Sequence, residues 1–181
     1  MREKILILMS SIRKNMEVID GLFEEFKKVY KDYEKTGDHY RLIASGFFLA
    51  QIYNGFEKIF EEVARVFENQ LEEEYWRSSL LKRMAMSIEG IRPNLISEES
   101  YTYLNDLKSF RHFFRHAYNT KIDPRKFEIV ASSAERLSKV YKTPVAKTHF
   151  FQGIEIQRRQ CGSEVGIMES LCSAHVCWFW I

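Results

Sequence analysis

Apolar residues in the first part of the chain recur at intervals of three and four. They fall at Ile5, Leu8, Met9, Ile12, Met16, Ile19, Leu22, Phe23, Phe26, Val29, Tyr30 and Tyr33, with Lys, Glu and Asp between them. This is the pattern of a long helix that buries one stripe. Thr36, Gly37 and Asp38 interrupt it. A second run follows from Tyr40 through Phe47, Phe48, Ile52, Tyr53, Phe56, Ile59, Phe60, Val63 and Phe67. Its apolar face is wider, which predicts a central helix.

A third helix is expected over residues 73–87, ending before Gly90 and Arg92-Pro93, because a residue preceding proline is pushed out of the α region. Ser97 and the two glutamates after it form an N-terminal signal for a fourth helix. That helix carries Tyr101, Leu104, Leu107, Phe110, Phe113 and Phe114 and is expected to run to about Tyr118. Asn119, Thr120 and Asp123-Pro124 read as a loop. Pro124 then suits the first turn of a fifth helix through Phe127, Val130, Ala131, Ala134, Leu137 and Val140. Short connections between such helices predict an all-α, antiparallel bundle of four to five helices.

Composition agrees. The 181 residues contain only eight Gly and three Pro, too few for a turn-rich β-fold, and 45% are hydrophobic, enough for one well-buried core. From about Thr143 the helical register is lost: Pro144, Gly153, Gly162 and Gly166 interrupt it, and the chain ends Cys177-Trp178-Phe179-Trp180-Ile181. Residues 1–142 are therefore assigned to the helical domain. Residues 143–181 read as an extension, either a membrane or partner anchor or a segment of frameshifted or appended origin. All three cysteines lie there without a CxxC pair, and Cys172 and Cys177 bracket a lone His175. That supplies neither a disulfide framework nor the four ligands of a structural metal site. No stretch is apolar for long enough to span a bilayer, and no signal peptide opens the chain, so the expected location is cytoplasmic.

The formal net charge of +2 conceals a division. Residues 1–75 carry 11 basic and 15 acidic side chains, residues 76–126 carry 10 and 5, and residues 127–181 carry 6 and 5. Only the middle segment, at +5, is biased toward phosphate.

That segment holds the densest polar cluster, Arg111-His112-Phe113-Phe114-Arg115-His116-Ala117-Tyr118. On a helix Arg111 and Arg115 share one stripe and His112 and His116 another, about 100° away. With Phe110, Phe113 and Phe114 turned inward, the polar residues should line one surface or cleft. Cations in a last turn also complement the helix dipole on their own. A zinc reading of the two histidines lacks a neighbouring glutamate and a third ligand. The chemical reading is stronger: imidazole moves protons near neutral pH, and guanidinium binds phosphate in bidentate fashion while staying charged. Metal-free RNA cleavage needs those two groups. Lys82, Arg83, Arg92, Arg115, Lys121, Arg125 and Lys126 would extend a phosphate-binding rim, with Arg115 the foremost of them.

Arg111 to His116 resembles the R-x4-H motif of HEPN-domain ribonucleases, with a polar residue, His112, following the arginine. With Tyr118 the cluster is similar to the R-x4-H-x-Y form of HepT toxins from HepT/MntA toxin–antitoxin pairs. The order of the segments SLLKRMAMSIEGIRPNLIS, LNDLKSFRHFFRHAY and Asp123-Pro124 also resembles that family, over about residues 5 to 140. The resemblance implies a HEPN bundle that dimerises so that Arg111 and His116 of two subunits meet in one cleft. It implies the toxin of a type VII-like pair, a metal-independent endoribonuclease with no cofactor, with His112 and Arg115 supporting RNA binding. Its partner would be a minimal nucleotidyltransferase antitoxin that transfers AMP onto the motif tyrosine, here Tyr118. The alternative is a non-catalytic HEPN module that binds substrate or partner for such a nucleotidyltransferase.

Overall fold

The computed structural model of the chain describes residues 2–68, 76–89, 92, 94–116 and 122–141. Tyr118, the start expected for the third helix, the end expected for the fourth, and the whole of residues 143–181 lie outside the described residues. Within them the chain is all-helical: α1 (Arg2–Thr36), α2 (His39–Phe67), α3 (Trp76–Ala85), α4 (Glu98–His116) and α5 (Pro124–Val140). A single antiparallel bridge pairs Ile88 with Arg92. No helix among the described residues is long and apolar enough to cross a membrane.

Each helix begins or ends where a side chain satisfies the backbone. Thr36 donates its hydroxyl to the Asp32 carbonyl, and Gly37, at φ +66°, donates its N–H to the Tyr33 carbonyl at 2.7 Å. That left-handed conformation carries little penalty for glycine and closes α1. Asp38 then caps α2 by accepting the Tyr40 N–H at 3.0 Å, while Arg41 reaches back to Asp32 at 2.9 Å and holds the hairpin shut. Ser97 accepts the Ser100 N–H at 3.1 Å to start α4. Asp123 accepts the Arg125 N–H at 3.0 Å ahead of Pro124 at the start of α5. These are ordinary N-caps, each contributing about 1 kcal/mol.

α2 is the central helix, packing on each of the other four. It meets the α1 stripe of Ile5, Leu8, Ile12, Ile19, Phe23 and Phe26 with its own Leu49, Ile52, Phe56, Ile59, Phe60 and Val63, all buried. Phe127 on α5 and Leu104 and Leu107 on α4 complete the core. Tyr141, just after α5, lies between Phe23 and Phe56 at centroid separations of 5.3 and 5.6 Å and donates its hydroxyl to Asp20 on α1.

Two sequence expectations are corrected by the packing. Phe113, expected inside, is 40% exposed. It lines a groove between α4 and α5 with Ile122, Lys126, Phe127 and Ile129, because, of its three phenylalanines, α4 turns only Phe110 and part of Phe114 toward the core. Arg92, expected on a phosphate rim, is buried behind α3. Its Nε and Nη2 donate to Glu68 at 3.0 and 2.7 Å, its Nη2 to the Arg83 carbonyl at 2.9 Å and its Nη1 to the Met86 carbonyl at 3.2 Å. Arg83 holds the other oxygen of the same carboxylate. The loop after α3 is thereby tied to the end of α2.

Candidate active site

The sequence cluster occupies the last two turns of α4 among the described residues. That stretch is set by its crossing with α2 at Gly46: a Cβ added there would lie 2.8 Å from Cε2 of Phe114 and 3.2 Å from Cζ of Phe110. The missing side chain admits both rings, which stack on each other at 5.6 Å. The depth and rotation of α4 against α2 follow from this contact.

Arg111 faces α2. Its Nη2 forms an ion pair with Glu57 Oε2 at 3.0 Å, and its Cζ sits 5.6 Å from the centroid of the Tyr53 ring. Only 23% of the arginine side chain and 20% of the glutamate side chain are exposed. The Arg111 Nε is buried without a hydrogen-bond partner. Burial pushes the Tyr53 phenol well above its usual range, the Glu57 carboxylate pushes it further, and the Arg111 cation opposes both. Tyr53 is therefore a neutral aromatic platform under the guanidinium.

The two histidines lie on the outer face, both exposed. Their rings stand 4.6 Å apart at 34°, as side chains four apart on a helix should. Nδ1 of His116 is 2.8 Å from the His112 carbonyl oxygen. That carbonyl can only accept, so in the neutral ring the proton sits on Nδ1 and Nε2 points its lone pair outward. Arg115 is exposed and forms no ion pair among the described residues. No group of three His, Cys, Asp or Glu among the described residues is placed to hold a metal ion.

The cluster is thus divided rather than spread over one surface. His112, Arg115 and His116 face water, whereas Arg111 is half-buried against α2. Five residues apart on a helix, Arg111 and His116 leave the axis about 140° from one another and about 7.5 Å along it. Tyr118 lies outside the described residues. Of the wider rim, Lys82, Arg125 and Lys126 remain exposed, Lys121 lies outside the described residues, and Arg83 and Arg92 are engaged by Glu68.

Sequence reasoning did not single out Glu57 or Tyr53 as partners of the motif. Tyr53 read as one more apolar position of the central helix, and Glu57 carried no reading at all. The one available signal was their spacing: four residues apart, they share a face of α2, and that face is the one α4 covers.

This arrangement provides a fixed cation, an outward imidazole with a free nitrogen, a second imidazole beside it and an exposed arginine, which together suit acid–base work on a phosphodiester. The sequence was compared with known families, curated proteins and solved structures. No curated protein and no solved structure matches. The model of a family described as HepT-like protein matches residues 44–151, a span that opens in α2 and takes in α3, α4 with Arg111 and His116, and α5. A match over more than half of the chain that encloses the whole cluster shows that this chain belongs to the HepT-like family.

Proposed function

We propose that the chain is the toxin of a toxin–antitoxin pair and acts as a metal-independent endoribonuclease through Arg111 and His116. The observation that carries this reading is the placement of the R-x4-H pair within a HepT-like domain: an arginine anchored on α2 and a histidine with its Nε2 open to solvent. One imidazole takes the proton of a ribose 2′-hydroxyl, whose oxygen attacks the adjacent phosphorus. A second protonates the departing 5′-oxygen, leaving a 2′,3′-cyclic phosphate and a 5′-hydroxyl end. Arg111 neutralises the charge that builds on the phosphorane. The divergence of Arg111 and His116 on α4 supports a cleft completed by a second copy of the chain, in which the arginine of one subunit and the histidine of the other serve the same phosphate. His112 and Arg115 hold the flanking RNA.

The partner in this reading is a minimal nucleotidyltransferase that transfers AMP to Tyr118. The added phosphate and nucleoside would stand two residues from His116 and compete with the RNA backbone for the same cations.

Incubation of the purified protein with RNA in the presence of a chelator tests the catalytic part. Cleavage is expected from the wild type, and His116→Ala should lower it by about 10²- to 10⁴-fold, the usual weight of a general acid or base. Its melting temperature should not change, since the side chain is exposed. A wild-type protein that binds RNA without cutting it would instead support the non-catalytic binding module. Mass spectrometry after incubation with the nucleotidyltransferase and ATP should place AMP on Tyr118, and AMP on another residue would overturn the regulatory part.

A further inference from the structure

We infer that Glu57 is the positioning residue of this site: it fixes the Arg111 guanidinium over Tyr53 so that the terminal N–H groups of the arginine meet the RNA phosphate. The inference rests on the ribonuclease reading and adds a residue to it.

Three observations carry it. The Arg111–Glu57 contact is 3.0 Å long and about four-fifths of both side chains is removed from water, so this is not a loosely solvated surface pair. The guanidinium is held from two directions, by the carboxylate at Nη2 and by the Tyr53 ring at 5.6 Å. Both partners come from one turn of α2, itself locked to α4 where Phe110 and Phe114 close on Gly46. A rigid helix, not a loop, therefore sets where the arginine stands.

The contact also leaves part of the fork unspent. A guanidinium has five N–H donors. Glu57 meets the guanidinium at Nη2, and Nε is buried without a hydrogen-bond partner, so a phosphate would approach the terminal nitrogens. A carboxylate bound in this way orients the arginine without occupying the whole face that a phosphate would take. Its loss would free a long side chain to sample other rotamers, and misplacement of a catalytic group by about 1 Å can cost about 10²-fold in rate.

Glu57→Gln, which keeps the volume and removes the charge, separates positioning from its competitors. The expected result is turnover lower by roughly 10- to 100-fold, with affinity for a 2′-deoxy-substituted, uncleavable RNA unchanged or slightly tighter, because one negative charge has left a phosphate site. The Glu57→Gln/Arg111→Ala double variant should be no slower than Arg111→Ala alone, since Glu57 acts only through the arginine. Glu57→Asp, which keeps the charge but retracts it by one methylene, should fall between wild type and Glu57→Gln, and it carries the test should the glutamine variant fail to fold. A merely structural role would lower turnover and melting temperature together and add to the Arg111→Ala loss, and that result would overturn the inference. So would turnover at the wild-type level. Faster turnover would overturn it as well, by making Glu57 a competitor of the phosphate. A wild-type protein that does not cleave RNA would overturn both this inference and the ribonuclease reading. Any of the other adverse results in an active wild type would overturn the inference alone.

Discussion

Arg92 and Arg115 carry the same side chain in the basic middle of the chain, yet their surroundings give them opposite weight. The Arg92 side chain is 1% exposed and the Glu68 side chain that receives it 4%. Arg92→Ala would leave a buried carboxylate with Arg83 as its remaining cation and would free the loop at Met86. Removing one partner of a buried pair costs about 3–5 kcal/mol, and Arg83 keeps the expected loss near the lower figure. Urea or thermal unfolding should show it, with RNA cleavage per folded molecule unchanged. Arg115→Ala should leave stability within about 0.5 kcal/mol and weaken RNA binding instead. Nothing in the sequence separates these two arginines. Arg92 precedes a proline in the loop after α3, a place that reads as surface, and its partner lies 24 positions earlier on a different element. The pairing exists only once α2, α3 and the loop are folded together. Glu57 escaped notice for the same reason, since a single charge on an amphipathic helix does not announce which neighbour it faces.

At the level of elements, what positions the motif is the crossing of α2 and α4. Gly46→Ala would place a methyl group 2.8 Å from the Phe114 ring, closer than carbon atoms pack. Phe114 is half-buried and has some room to swing outward, so the expected loss is about 1–2 kcal/mol, in the range for overpacking a well-filled contact. Cleavage should fall along with it, because a shift of α4 against α2 moves Arg111 relative to Glu57. A crossing that tolerates alanine with full activity would show that the motif does not depend on this contact. The helices themselves were legible in advance. Thr36-Gly37-Asp38, Ser97 and Asp123-Pro124 are local punctuation, and each acts within a few residues through a cap or a left-handed turn. The inward face of α4 was less legible. A stripe drawn through Phe110, Phe113 and Phe114 is wider than the one α2 and α5 can cover, and Phe113 falls at its margin, on the groove with Ile122 and Ile129. Hydrophobic spacing predicts that a helix buries a face but leaves the edges of that face to the neighbours.

Across the whole molecule, the same aromatic-rich core that presents α4 also limits the conditions under which it can work. Tyr30, Tyr53 and Tyr141 tie α1, α2 and α5 together. Burial is the leading reason the phenol of each is held above its ordinary value, with Glu34 and other carboxylates adding to Tyr30, Glu57 to Tyr53 and the hydrogen bond to Asp20 to Tyr141. Tyr30 is pushed up to about 12. In the unfolded chain a tyrosine ionises near pH 10. A folded-state value above the unfolded one means that the folded protein holds the proton longer, so the stabilisation is fully present below about pH 10 and is lost as pH rises toward about 12. The melting temperature should therefore decline through that interval. The phenolate absorbance of Tyr30, Tyr53 and Tyr141 should appear together with the loss of helical circular dichroism. Tyr141→Phe, which removes one of these protons together with the bond to Asp20, should lower stability at neutral pH and make the alkaline decline shallower. Ionisation of these three tyrosines near pH 10 with the helices intact would contradict this picture of the core. The same interval bears on activity. A fall in RNA cleavage that sets in above about pH 10 together with loss of helical circular dichroism would report the unfolding of the bundle that carries the motif, and a fall in that range with the circular dichroism unchanged would have a cause other than the core.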